Sequence, residues 1–107
     1  MKINNVEFDF RIAKLEHAAK LEMAMKDMDK QEKSLNAKLE KKGTMLAEIV
    51  RDRLELFRTF FKTISGVDVV GVCDDLNEVT EMYYVFLDEI QEQKKTLIMP
   101  YSPDRIK

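Results

Sequence analysis

The sequence predicts a mainly α protein, a short N-terminal β-hairpin followed by three long amphipathic helices, in a single domain over residues 1–107. Two observations carry that prediction. The first dozen residues alternate apolar and polar, with the period of a half-buried strand. After them, apolar residues recur at helical spacing through three long stretches, and the strong breakers Gly43, Gly66 and Pro100 fall between or after these stretches.

The hairpin occupies residues 1–12. Val6, Phe8, Phe10 and Ile12 alternate with Glu7, Asp9 and Arg11, and Asn4-Asn5 separates this run from Met1-Lys2-Ile3. Asn tolerates the left-handed backbone that a tight hairpin turn requires. A lone hairpin is marginal in water, so this one is expected to pack on a helix or join a neighbour's sheet.

Helix 1 is expected over 13–42, a stretch without Gly or Pro that is rich in Ala, Lys, Leu, Glu and Met. Leu21, Met25, Met28, Leu35 and Leu39 form a heptad-like stripe interrupted at Glu32. Glu16–Lys20, Glu22–Lys26 and Asp29–Lys33 are favourable i,i+4 pairs. Gly43 ends the helix, and Lys41 and Lys42 suit its negative dipole end. At about 1.5 Å per residue, 30 residues span roughly 45 Å, while a 100-residue globule is only about 34 Å across. Helix 1 is therefore expected to protrude and to leave its methionine stripe for a second copy or a partner.

Helix 2 is expected over 44–65, capped by Thr44 and closed by Ser65-Gly66. Its stripe of Leu46, Ile49, Val50, Leu54, Phe57, Phe60, Phe61 and Ile64 is the richest apolar face in the chain. Residues 67–73 form a short apolar connector, expected to tuck under the helices. Helix 3 spans 75–98, begins with the capping-box pair Asp75 and Glu78, and carries Leu76, Val79, Tyr83, Phe86, Ile90 and Leu97 on one face. Residues 100–107 are a tail. In it, Ser102-Pro103-Asp104 has the form of a helix start, and Tyr101 and Arg105 are candidates for contact with a partner.

Composition narrows function. Charged residues make up 36% of the chain, yet 18 Lys+Arg against 20 Asp+Glu leave a net charge of only −2. That lacks the basic excess of a domain that binds nucleic acid by bulk charge. The tilt along the chain is mild, with 12 basic and 10 acidic residues in 1–53 against 6 and 10 in 54–107. One Cys permits no internal disulfide, and one His with one Cys supplies none of the usual zinc sets. The polar start gives no reason to expect a secretory leader, the apolar runs are too short for a membrane span, and Cys73 suits a reducing cytoplasm. No cofactor, nucleic acid, membrane or small-molecule substrate is expected.

Few residues suggest chemistry. Glu78/Glu81 and Glu89/Glu92 are i,i+3 carboxylate pairs of the kind that hold Mg²⁺, but both lie on one helix, where they read as a solvated face. His17 lacks ligand neighbours, and Cys73 lacks the context of a nucleophile. Neither a catalytic nor a metal-binding residue is assigned. The expected function is binding, with Met25 and Met28 as an adaptable surface and Phe57, Phe60, Phe61 and Tyr84 as aromatic anchors.

The Met-Lys-Ile-Asn start, the charged helical middle and the Tyr101-Ser102-Pro103-Asp104-Arg105 end resemble the small tail assembly chaperones of Gram-positive siphophages and prophages. In sequence the likeness covers Met1 to Phe10 and Tyr101 to Arg105. It implies a helical, non-enzymatic protein of the bacterial host cytoplasm that coats the tape measure protein and keeps it soluble before the tail tube polymerises. It also implies, in many members, a longer form made by ribosomal frameshifting. A homo-oligomer is expected on the separate ground of the protruding helix 1. The other reading of the same stripes is a small helical adaptor or regulatory protein, also non-enzymatic.

Overall fold

The structure is a computed structural model, and it describes residues 1–40, 43 and 45–98, the last through its backbone. The chain is mainly helical. Strands β1 (Lys2–Ile3) and β2 (Val6–Glu7) form an antiparallel hairpin, followed by α1 (Leu15–Leu39), α2 (Leu46–Ser65) and α3 (Leu76–Ile98). This is the predicted class and order. Lys41, Lys42 and Thr44, expected at the junction of helices 1 and 2, and the tail with Pro100, Tyr101 and Arg105 lie outside the described residues.

The hairpin is shorter than the alternation suggested. Ile3 pairs with Val6 and Lys2 with Glu7, and Met1 and Phe8 exchange two backbone hydrogen bonds of 2.9 Å. Asn4 and Asn5 have φ of 54° and 62°, so both central residues of the turn are left-handed, which matches the twist of the strands. Past Phe8 no strand lies alongside among the described residues, yet the alternation persists as burial: Phe8 and Phe10 face the core, while Asp9 and Arg11 face water.

Helix α1 begins at Leu15 rather than at residue 13 because the backbone before it is engaged elsewhere. Ile12 N–H donates to Gln93 Oε1 at 2.8 Å, and Gln93 Nε2 donates to the Phe10 carbonyl at 3.1 Å. A turn closed by Lys14 N–H on the Arg11 carbonyl (3.0 Å) then delivers the chain to the helix. Helix α2 starts at Leu46, with Met45 extended at the N-cap and giving no side-chain cap, so the first turn is not held in the way a Thr cap would hold it. Its end is as expected, at a left-handed Gly66 whose N–H reaches the Lys62 carbonyl at 2.8 Å. At α3 the cap is half a capping box: Asp75 Oδ1 accepts from Asn77 and Glu78 N–H, while the Glu78 carboxylate accepts from the Cys73 thiol at 3.3 Å.

The core gathers where hairpin, α2, α3 and connector meet. Phe10, Phe61, Val69, Val70, Val79 and Phe86 are fully buried. Phe86 sits 5.5 Å from Phe10 and Phe60 and 5.9 Å from Phe61, tilted or edge-on to each, the favourable arrangement for aromatic quadrupoles. Connector residues Val69 and Val70 go under the helices as expected, and Asn4 Nδ2 ties the hairpin turn to the Val69 carbonyl at 2.8 Å.

Helix α1 packs on α2, and α2 on α3, but the backbones of α1 and α3 do not approach each other closely. Leu76, the first residue of α3, lies beside Arg53 and Phe57 of α2. Residues 33–39 and 46–52 thus project beyond α3 as a two-helix arm. The described chain measures 64 × 28 × 21 Å, with a radius of gyration of 16.6 Å, against about 13 Å for a compact chain of 100 residues. A protrusion is present, shared with the start of α2, but the part of α1 that projects, residues 33–39, holds no methionine, and Met28 of the expected stripe is buried.

Candidate functional site, an apolar groove between two helices

The separation of α1 from α3 leaves a groove. Tyr83 bridges the two helices, its hydroxyl 3.5 Å from Met25 Sδ. Towards the C-terminal end of α3 lies an open groove of about 520 Å³. Its apolar walls are Leu21 and Met25 of α1 and Leu87, Ile90 and Leu97 of α3, with Ile12 beside them. Charged and polar side chains, Glu22 and Lys26 on one wall and Gln91 and Lys94 on the other, complete the lining. The α3 wall follows from spacing, since Leu87, Ile90 and Leu97 recur at steps of three and seven. Gln93 fixes the neighbouring 10–12 segment and so holds Ile12 at the groove.

The sequence-predicted residues divide among several places. Met25 lines the groove and is 36% exposed. Phe60 and Phe61 are buried, so their surface already serves the core and is not offered to a partner, and Met28 is buried as well apart from an edge in the lining of a notch between α1, α2 and α3. Phe57 is half-buried, 5.3 Å from the Tyr83 ring. Tyr84 is 54% exposed and lines that notch, of about 240 Å³ and separate from the groove, with Glu32, Arg53, Leu56, Phe57, Leu76 and Tyr83. Tyr101 and Arg105 lie outside the described residues. Leu87 was not singled out from sequence. Its place four residues after Tyr83 and three before Ile90 is the signal that finds it.

The chemistry-bearing candidates have structural partners. His17 stacks on Phe10 with centroids 5.2 Å apart and planes within 6°, and its Nδ1 accepts the Arg11 N–H at 3.0 Å. Around Cys73, a backbone hydrogen bond at Asp75 favours the thiolate, but desolvation and the Glu78 and Asp75 carboxylates outweigh it and lift the thiol above its usual pKa. Such a thiol stays protonated, the opposite of what a nucleophile needs. Burial, aided by Glu32 and Tyr84, raises the Tyr83 phenol above its ordinary value. Among the described residues no cluster of three His, Cys, Asp or Glu side chains is placed to hold a metal ion, and Glu92 of the second carboxylate pair is salt-bridged to Lys95 at 2.9 Å. No described helix is long and apolar enough to cross a membrane.

Neither a protein-family model nor a curated protein nor a solved structure matches the chain. The fold and site define a class by geometry alone: a three-helix protein closed at one end by a β-hairpin, with an open apolar groove between its first and third helices.

Proposed function

We propose that this protein is a phage or prophage tail assembly chaperone that binds the tape measure protein and keeps it soluble during tail assembly. The observation that carries the reading is the groove between α1 and α3, whose apolar side chains recur at helical spacing on both walls. An α-helix with its side chains is about 10–12 Å wide, and a stripe of its apolar residues can lie along such a groove in helix-in-groove fashion. Glu22 on one wall and Lys26 and Lys94 on both suit the charges that flank the stripe of an amphipathic helix. The resemblance of the chain's two ends to tail assembly chaperones selects the tape measure, a long, apolar, aggregation-prone helix, as the occupant.

In this reading the chain acts by covering apolar surface, with several copies associating in the bacterial host cytoplasm, and performs no catalysis. Asp88, Glu89 and Glu92 line an open hollow on α3 alone, which supports reading them as a solvated face. The test is co-expression with the long helical protein encoded alongside. That protein should be recovered soluble with the wild-type chain, and insoluble with Leu97→Glu, which places a charge at an exposed groove position. Solubility without this chain, or equal rescue by Leu97→Glu, overturns the reading. Groove-dependent binding of a different helical protein would replace it with the adaptor reading.

A further inference from the structure

We propose that the face of the two-helix arm beside α3 is a homodimer surface, on which the arm tip of one copy enters the notch of a second. The side chains of this face do not line the groove, and the contact rests on the self-association of the proposed function and gives it a location. Among the described residues no third helix runs beside the arm, because α3 begins only at the level of Arg53 and Phe57. On α2, Leu46, Val50, Arg53 and Phe57 recur at steps of four, three and four and fall on one face. On α1, Met28, Glu32, Leu35 and Leu39 do the same. The notch joins the two rows, being lined by Met28 and Glu32 from one and Arg53 and Phe57 from the other.

This face carries a knob and a hole. The knob is the arm tip, where Leu46 is 80% exposed and the adjoining Met45 68%. The hole is the notch of about 240 Å³, with Leu56, Phe57, Leu76, Tyr83 and Tyr84 in its lining. A dry cavity of about 150 Å³ already accepts a benzene ring, so the notch has room for a Leu or Met side chain. Eleven residues separate Leu46 from Phe57, or about 16 Å along the helix. A two-fold axis midway between them, near Val50 and Arg53, brings each tip to the other copy's notch. Such an isologous contact closes on itself and makes two identical knob-in-hole contacts. It also converts each two-helix arm into half of a four-helix bundle.

Charge and area fit the same occupant. The notch carries one acidic side chain, Glu32, and one basic, Arg53, which donates to Asn36 Oδ1 of its own chain at 3.0 Å, so a second copy meets no unbalanced charge in the notch. A face two helices wide, about 20 Å, and about 25 Å long covers about 500 Å² per copy, or about 1,000 Å² in total. That is the lower bound for a specific interface, the size class of reversible rather than permanent association.

Sedimentation of the full chain across a concentration series tests this. The mass should rise from 12.6 kDa towards twice that value. Leu46→Glu and Tyr84→Ala, at the exposed knob and the rim of the hole, should each raise the Kd at least about thirtyfold with an unchanged circular dichroism spectrum. Leu97→Glu, in the groove, should leave the dimer intact. In a Cys73→Ser background, a Leu46→Cys chain mixed with a Tyr84→Cys chain should form a disulfide-linked heterodimer faster than either variant links to itself. A monomer throughout the series, a dimer indifferent to Leu46→Glu, or no preference for the mixed disulfide overturns the proposal. None of these results depends on whether a tape measure protein binds the groove.

Discussion

Two amides far apart in sequence hold the hairpin to the helices. Asn4 both adopts the left-handed turn and donates to the Val69 carbonyl, and Gln93 both accepts from Ile12 and donates to Phe10. Asn4→Ala loses the turn preference and the bond, and should cost about 1.5–3 kcal/mol in urea unfolding. Asn4→Gly keeps the turn and should recover part of that loss. Gln93→Leu leaves the Ile12 donor and the Phe10 acceptor unpaired in a part-buried site, and should cost about 2–4 kcal/mol. Equal stability of Gln93→Leu and wild type would show that water replaces the amide. Tyr83 sets an alkaline limit. Burial raises its folded-state pKa above the unfolded value, so its contribution to stability is complete below about pH 10 and declines as pH rises through the folded value. Ultraviolet titration should show a late-ionising phenol that Tyr83→Phe removes.

At the scale of elements, α2 depends on packing more than on its ends. It lacks a side-chain cap at Met45, yet Phe60, Phe61 and Ile64 are buried near its C-terminus. Phe61→Ala should therefore cost about 3–5 kcal/mol, read as a lower denaturation midpoint. Lys38→Ala, which removes solvent-screened pairs to Glu48 and Asp52 across the arm, should leave the denaturation midpoint nearly where it was, far closer to wild type than Phe61→Ala. The elements themselves were legible in the sequence because periodicity of 2 and 3.6 is a local signal. The Asn4-Asn5 turn, the Gly66 end and the Asp75 cap all lie where sequence placed them. The first residue of α1 was not legible, because it is set by Gln93, 81 positions away from Ile12. The candidate site was legible in half. Met25 and Tyr84 are available at the surface, whereas Phe60 and Phe61 belong to a stripe that reads the same whether the core or a partner covers it. Only the placement of α3 decides between those two fates.

For the whole molecule, the arm and the hairpin end should differ in stability. The hairpin end buries Phe10, Phe60, Phe61, Phe86, Val69 and Val70 in one cluster. The arm has two helices and leaves Leu39, Met45, Leu46 and Val50 largely exposed. Local opening follows the density of buried apolar contact, so the arm should open without the rest of the fold. Native-state hydrogen exchange at low micromolar concentration should show amides of 35–39 and 50–53 exchanging first. Amides of 60–64 and 83–90 should exchange last, near the global unfolding free energy. Raising the protein concentration should slow exchange in the arm selectively, because a second copy there supplies the missing helices and binds only the closed arm. Arm amides as slow as the core in the monomer would mean that Lys38, Glu48 and Asp52 hold the helix pair unaided. Exchange in the arm independent of concentration would mean that no second copy covers it.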